Sequence, residues 1–246
     1  LTGAGFQADS QENLYAGTSA GAASDADTCY NVGVGYEALK VVNAGDSNVA
    51  LGFRAGYSQT SGNSSIAIGC CAGSSNQTGH NNIALGTQTL RNNSSGSCNI
   101  GLGWAAGYNV TGHWSTFIGT AAGRYATTVK HSIGVGCGAL AGTSSVANSG
   151  CYNIAFGMDA GTKMSTGDYN VFLGKDAGKC NTTGSYNLAM GIDALGDATL
   201  TGNHNIGFGY AAGEKITDGA NNILMGCSAG NAVTSGENNI VFGKDA

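Results

Sequence analysis

A five-residue phrase, Asn82-Ile83-Ala84-Leu85-Gly86, returns along the whole chain, and everything else in the sequence has to fit between its copies. Aligned on the closing Gly, the copies begin at Asn13, Asn31, Asn48, Ser65, Asn82, Asn99, Ser115, Ser132, Asn153, Asn170, Asn187, Asn205, Asn222 and Asn239. The usual step is seventeen residues; it is sixteen into Ser115, eighteen into Asn31 and Asn205, and twenty-one into Asn153, where residues 147–150 read as an insertion in a loop. A fixed period of this length is the signature of stacked repeats, in which each copy is one rung and contacts only its neighbours.

The second and fourth positions of the phrase are apolar and large, as in Ile83 and Leu85 or Val171 and Leu173, and their spacing of two puts them on one face of a short strand. The third position faces the other way and is usually Ala or Gly (Ala50, Ala67, Gly101, Ala189), with Phe117, Phe172, Leu224 and Val241 as larger exceptions. A strand apolar on both faces is buried on both. One face is therefore expected to fill the coil's own interior and the other to pack on another chain. The closing Gly is invariant: Gly17, Gly35, Gly52, Gly69, Gly86, Gly103, Gly119, Gly136, Gly157, Gly174, Gly191, Gly209, Gly226 and Gly243. Such a position needs positive φ or the close approach of another backbone. Beyond it, Ala55-Gly56, Ala72-Gly73 and Ala177-Gly178, with variants such as Ala38-Leu39 and Ala194-Leu195, read as a second short strand followed by a polar turn.

Two further columns run through the repeat. The leading residue is Asn in most copies (Asn82, Asn99, Asn153, Asn170, Asn187, Asn205, Asn222 and Asn239 among them), and it either forms an amide ladder between stacked copies or closes a local turn with its own backbone. Just before it come Trp114, His131, Tyr152, Tyr169, Tyr186 and His204, read as rings stacked along an edge, with Trp114 and the three tyrosines as a candidate glycan-binding strip.

Composition excludes much. The chain has 43 Gly and no Pro, so the collagen pattern is ruled out. Apolar residues come in pieces of three to five, too short to span a membrane, and no signal peptide is visible. A net charge of −5 argues against nucleic acid as a partner. The eight cysteines show no zinc spacing and read mostly as small buried hydrophobes, with disulfides between chains or between Cys137 and Cys151 as the sharper alternative. His80, His113, His131 and His204 fall in turns of mostly non-neighbouring copies, and no Ser, His and Asp constellation assembles, so an enzyme is not expected. Gly33-Val34-Gly35 is a product of the repeat and not a phosphate loop. Asp159, Asp176 and Asp193 share one position in consecutive copies; they read as solvated carboxylates, with a calcium site as the alternative. Asn-x-Ser/Thr sequons at Asn63, Asn76, Asn92, Asn93, Asn109 and Asn181 all lie in polar turns and would be glycan sites in a eukaryote.

The phrase followed by Ala-Gly resembles the head repeats of trimeric autotransporter adhesins, and similar Asn-x-Ala-x-Gly runs in phage tail fibres and other surface fibres, over Asn13 to Ala246. The resemblance implies a parallel β-roll with three chains packed about an axis, although those heads usually repeat every ~14 residues. The expected fold is therefore an all-β parallel β-solenoid, elongated and homotrimeric: residues 1–12 as a degenerate first rung, then residues 13–246 as one array that stops inside a copy, a segment of something longer. At the interstrand spacing of a sheet the array would measure roughly 65–70 Å. The expected function is the structural and adhesive shaft of an extracellular fibre, a surface adhesin or tail fibre, presenting polar turns to a host surface or glycan. The alternatives are a filament protein polymerising end to end and, more remotely, an ice-binding solenoid.

Overall fold

A computed structural model describes residues 8–246. Part of the degenerate first rung, residues 1–7, thus lies outside the described residues. The protein is all-β, a parallel β-solenoid with no helix among the described residues. It divides into two units, Leu1–Trp114 and Ser115–Ala246. In the first, β1 (Leu14–Ala16), β2 (Val32–Val34), β3 (Val49–Leu51), β4 (Ile66–Ile68), β5 (Ile83–Leu85) and β6 (Ile100–Leu102) pair in sequence order, each parallel to the next. The second holds β7 (Thr116–Ile118), β8 (Ile133–Val135), β9 (Ile154–Phe156), β10 (Val171–Leu173), β11 (Leu188–Met190), β12 (Ile206–Phe208), β13 (Ile223–Met225) and β14 (Ile240–Phe242), paired in the same way. Every strand is the middle of one phrase. Register is residue on residue, Ala50 against Ala67 and Ala67 against Ala84, and the longer step into Asn153 leaves it intact, Gly134 pairing with Ala155.

The small third position is the one that points inward. Ala50, Ala84, Phe117, Ala155, Phe172, Ala189 and Leu224 are buried, facing the buried Ala and Leu of the Ala-Gly and Ala-Leu signatures. The interior is narrow, so large exceptions require small neighbours: a Cβ on Gly161 would meet the Phe172 ring at 2.8 Å, and one on Gly207 would meet Leu195 at 2.8 Å.

The second strand predicted at the Ala-Gly signature does not form. That segment is a chain of turns, because the second residue after each phrase Gly and the Gly of Ala-Gly both take left-handed φ, +53° at Arg54 and +57° at Gly56, for instance. A coil of seventeen residues must reverse there within a few residues, which an extended strand cannot do. The inter-rung hydrogen bonds survive: Gly56 N–H donates to Ala72 O at 2.9 Å and Gly73 N–H to Thr89 O at 2.9 Å. In the Ala-Leu variants a leucine takes the left-handed conformation, +47° at Leu39 and +48° at Leu195. That costs about 1–2 kcal/mol, which burial of the whole side chain at 0–1 % exposure offsets with about 1.5–3 kcal/mol.

The phrase Gly satisfies both conditions that a Gly-only position can have. Its φ is +130° at Gly86 and +136° at Gly174, and a Cβ there would lie 2.7 Å from Gly103 O and 2.6 Å from Gly191 O respectively. The leading Asn combines the two roles open to it. It is buried, its Oδ1 accepts the backbone N–H of the next copy (Asn187 N to Asn170 Oδ1, 2.9 Å), and its Nδ2 donates to the carbonyl of the turn glycine leading into that copy (Asn170 to Gly184 O, 2.9 Å). Some amides also bond each other directly, as Asn170 to Asn153 at 3.1 Å and Asn239 to Asn222 at 2.8 Å. Ser65 shows what the shorter side chain forfeits. Its Oγ accepts from Asn82 N at 3.2 Å, Gly79 O receives the Asn76 amide but no second one from the column, and a cavity of about 10 Å³ opens between Ser65, Gln59, Asn76 and Asn82.

Two outcomes follow. Gly86→Ala should cost about 2–4 kcal/mol, from left-handed strain plus contact with the rung above, whereas Thr87→Ala beside it, on an exposed side chain, should stay within about 0.5 kcal/mol; thermal melts compare them. Ser65→Asn should stabilise by about 0.5–1.5 kcal/mol by giving Gly79 O the second amide hydrogen bond that Gly96 O has from Asn82 and Asn93, as a rise in melting temperature.

Candidate functional site

With the small residues inside, the large second and fourth positions of each strand turn outward. In the single chain they are half-exposed to exposed, with Ile68, Phe156 and Phe208 at 38–46 %. The residue after the phrase Gly widens this face: Tyr36, Phe53, Trp104, Met158, Ile192 and Tyr210 are all exposed. Tyr36 and Phe53 stack at 5.4 Å and 9°. Sequence reading located the double-faced strands but missed this flanking column, although its recurrent aromatic and aliphatic residues one step beyond the Gly were the available signal. The charged side chains in the column are Lys175 and Lys244.

The same column corrects the reading of the cysteines as mostly buried. Cys70, Cys137 and Cys227 occupy it and are exposed, while only Cys180 is buried. All eight thiols are free in the single chain, with Cys70 Sγ 3.7 Å from Cys71 Sγ. Burial, followed by the Cys70 contact, pushes the Cys71 thiol above its ordinary range.

The aromatic column assembles within the second unit. His131, Tyr152, Tyr169, Tyr186 and His204 form one stack with centroids 4.8–5.0 Å apart and rings within 10° of parallel. Each ring residue sits at φ between +52° and +59°. Bulky side chains rarely adopt that conformation, and offset stacking worth about 0.5–1.5 kcal/mol per pair compensates it. Because neighbours cover the ring faces inside the stack, Tyr152, Tyr169 and Tyr186 present edges outward, which is poor geometry for a sugar that packs on a ring face. Trp114 belongs to the first unit, where His113 lies against it at 5.3 Å and 47°.

Of the three column carboxylates, Asp176 is nearly buried and is met by lysines from both sides, Lys179 Nζ at 2.9 Å and Lys175 Nζ at 3.4 Å. Strand alternation would turn Lys175 to the opposite side from Asp176. Lys175 reaches Asp176 because the left-handed φ of +57° there breaks the strand alternation. Burial raises the Asp176 carboxyl's affinity for a proton, but the hydrogen bond and charge of Lys179, aided by Lys175, outweigh it, so the net shift is downward; the same pair raises Lys179. Asp159 accepts from Thr162 Oγ1 at 3.4 Å. Among the described residues no group of three or more His, Cys, Asp or Glu is gathered as metal ligands.

The polar turns are not uniformly accessible. Asn76, Asn93 and Asn181 are buried, each with Nδ2 donating to a turn glycine carbonyl at 3.0 Å, so half of the sequons cannot carry a glycan without breaking the turn. Asn63, Asn92 and Asn109 keep partial or full exposure. His80 and His113 use Nδ1 to accept backbone N–H groups of the previous copy, from Asn63 at 3.1 Å and Ser97 at 2.9 Å. No helix among the described residues is long and apolar enough to cross a membrane. No family model, curated protein or solved structure matches this chain.

The lysine-held carboxylate has a pH signature. Asp176 titrates lower folded than unfolded, so its contribution is complete above the ordinary carboxylate value and is lost as pH falls through the folded one; Lys179, shifted upward, gives its share below the ordinary lysine value and loses it at higher pH. Between about pH 5 and pH 10 the pair contributes about 1 kcal/mol. Asp176→Asn, which tolerates the left-handed backbone, should melt below the parent at pH 7, and the difference should shrink as pH falls below the ordinary carboxylate value.

Proposed function

We propose that this chain is a structural shaft segment of an extracellular fibre, a surface adhesin or phage tail fibre, in which three copies pack on their apolar sheet faces and turn their polar loops outward. The observation that carries this reading is the continuous outward row of Ile, Leu, Val, Met and Phe on the sheet of each unit, flanked by exposed aromatics. Contiguous apolar surface of that kind is a mark of association in soluble proteins. A second copy is the natural occupant, since it offers rows at the same rung period. The phrase Gly, with φ near +130°, places a corner between the fourth strand position and the flanking column. Apolar residues on both sides of a corner suit two different neighbours, which favours a closed cyclic trimer over a face-to-face dimer. The resemblance of the repeat to trimeric adhesin heads supports the same arrangement.

Light scattering should give three times 24.4 kDa for the purified chain, and the double variant Phe156→Glu, Phe208→Glu should reduce it to one chain. A stable parent monomer overturns the proposal; open-ended polymers of variable mass replace it with the filament reading.

A further inference from the structure

The first unit carries a polar notch on the turn segments that follow the phrase glycines, bordering the apolar column at Phe53. It arises from the order of side chains on three consecutive rungs. One rung supplies Arg54, Tyr57 and Ser58, the next supplies only Cys71, Ser74 and Ser75, and the third supplies Arg91 and Asn92. Small residues between larger ones leave a half-open cavity of about 250 Å³ with an arginine toward each end.

The charge around it is one-sided. Residues 48–98 contain Arg54 and Arg91 and not a single Asp or Glu, in a chain whose net charge is −5. Arg54 donates through Nε to Glu37 at 2.7 Å, but Glu37 is shared with Lys40 at 2.6 Å, so this cluster keeps a net positive charge. Among the described residues Arg91 makes no ion pair: its Nη1 donates to the Tyr108 hydroxyl at 3.0 Å and its guanidinium lies 5.7 Å from that ring. Arg54 is braced likewise between the Phe53 and Tyr57 rings at 5.2 and 5.4 Å. Both guanidiniums are thus held in place, which lowers the entropy lost on binding. Between them the hydroxyls of Ser58, Ser74 and Ser75 make no hydrogen bond among the described residues, while their backbones are engaged in the rung ladder.

We propose that this notch is a binding site for an acidic monosaccharide unit, a sugar ring carrying a carboxylate or a sulfate ester. The arginines take the acidic group, for which planar guanidinium forks are suited. The three serines and the Asn92 amide take ring hydroxyls. A bare oxyanion would fill a small part of the cavity and leave those hydroxyls unused. A volume below the usual range for drug-sized ligands, about 300–1,000 Å³, limits the occupant to about one sugar ring. The site deepens the adhesive half of the function proposed above by naming a ligand class, and it places recognition on the Arg54–Arg91 notch rather than on the stacked tyrosines.

The test is saturation-transfer NMR and titration of the full chain with four probes: glucuronic acid, glucose 6-sulfate, glucose and sodium sulfate. Binding of the first two at an affinity on the order of millimolar, with glucose and sulfate at least tenfold weaker, supports the site. Arg91→Ala and Ser75→Leu should each abolish that binding, whereas Arg124→Ala in the second unit should leave it intact. Sodium sulfate matching glucose 6-sulfate, glucose matching either, binding that survives both notch variants, or no binding at all overturns the proposal. Mass by light scattering on the same samples keeps it separate from the shaft reading, since a trimer that binds no acidic sugar sinks this inference alone. A variant that loses both binding and mass is set aside in favour of the other, which reads the same site by filling rather than by charge removal.

Discussion

The approach of each phrase glycine to the carbonyl of the next is the contact on which the rest of the structure depends. With φ near +130° and no room for a Cβ, these glycines set both the corner of the coil and the distance between rungs. Once that distance is fixed, the backbone N–H and C=O groups on either side find partners above and below, and the buried asparagines can span the gap with both ends of their amides. Buried polar groups are tolerated only when paired, and here the pairing is guaranteed by repetition: what satisfies Asn153 in one rung satisfies Asn170 in the next. Ser65 is informative because the backbone holds its course there while the amide is missing and a small cavity remains.

Most of the fold was legible because a stacked repeat writes the same constraint many times. The phrase positions became strands without exception, and the invariant glycine signalled both of its reasons. The Ala-Gly segment was misread because its pattern of small residues is shared by tight strands and by left-handed turns. Only the backbone angles at residues such as Arg54 and Asp176 separate the two, and no side-chain chemistry announces left-handed φ when Arg, Cys, Ala and Asp all occupy the position.

Site-level features were less legible for a different reason. A column read along the sequence shows which residues recur, but not which column faces the interior. That the large residues lie outward and the small ones inward follows from the width of the coil, which the sequence does not state. The arginine notch was invisible for the opposite cause. It belongs to no column, and it exists because three successive rungs depart from one another in size. Repeat analysis averages such departures away.

A narrow interior carries an energetic consequence. At each rung the strand contributes mostly Ala or Gly to the core, side chains whose burial yields little, about 0.8 kcal/mol per methylene-sized group. The larger Ile, Leu, Phe and Met side chains, which could yield about 1.5–3 kcal/mol each when fully buried, remain partly in water in the single chain. A coil built this way has moved much of its hydrophobic free energy to its surface. That arrangement is wasteful for a monomer and effective for an assembly, because each rung stabilised from outside by a neighbouring copy also holds its own hydrogen-bonded ladder more firmly. In the assembly proposed above, folding and association would be one cooperative process, and Tyr36, Phe53, Trp104 and Tyr210, exposed beyond their corners, are residues through which that coupling would run.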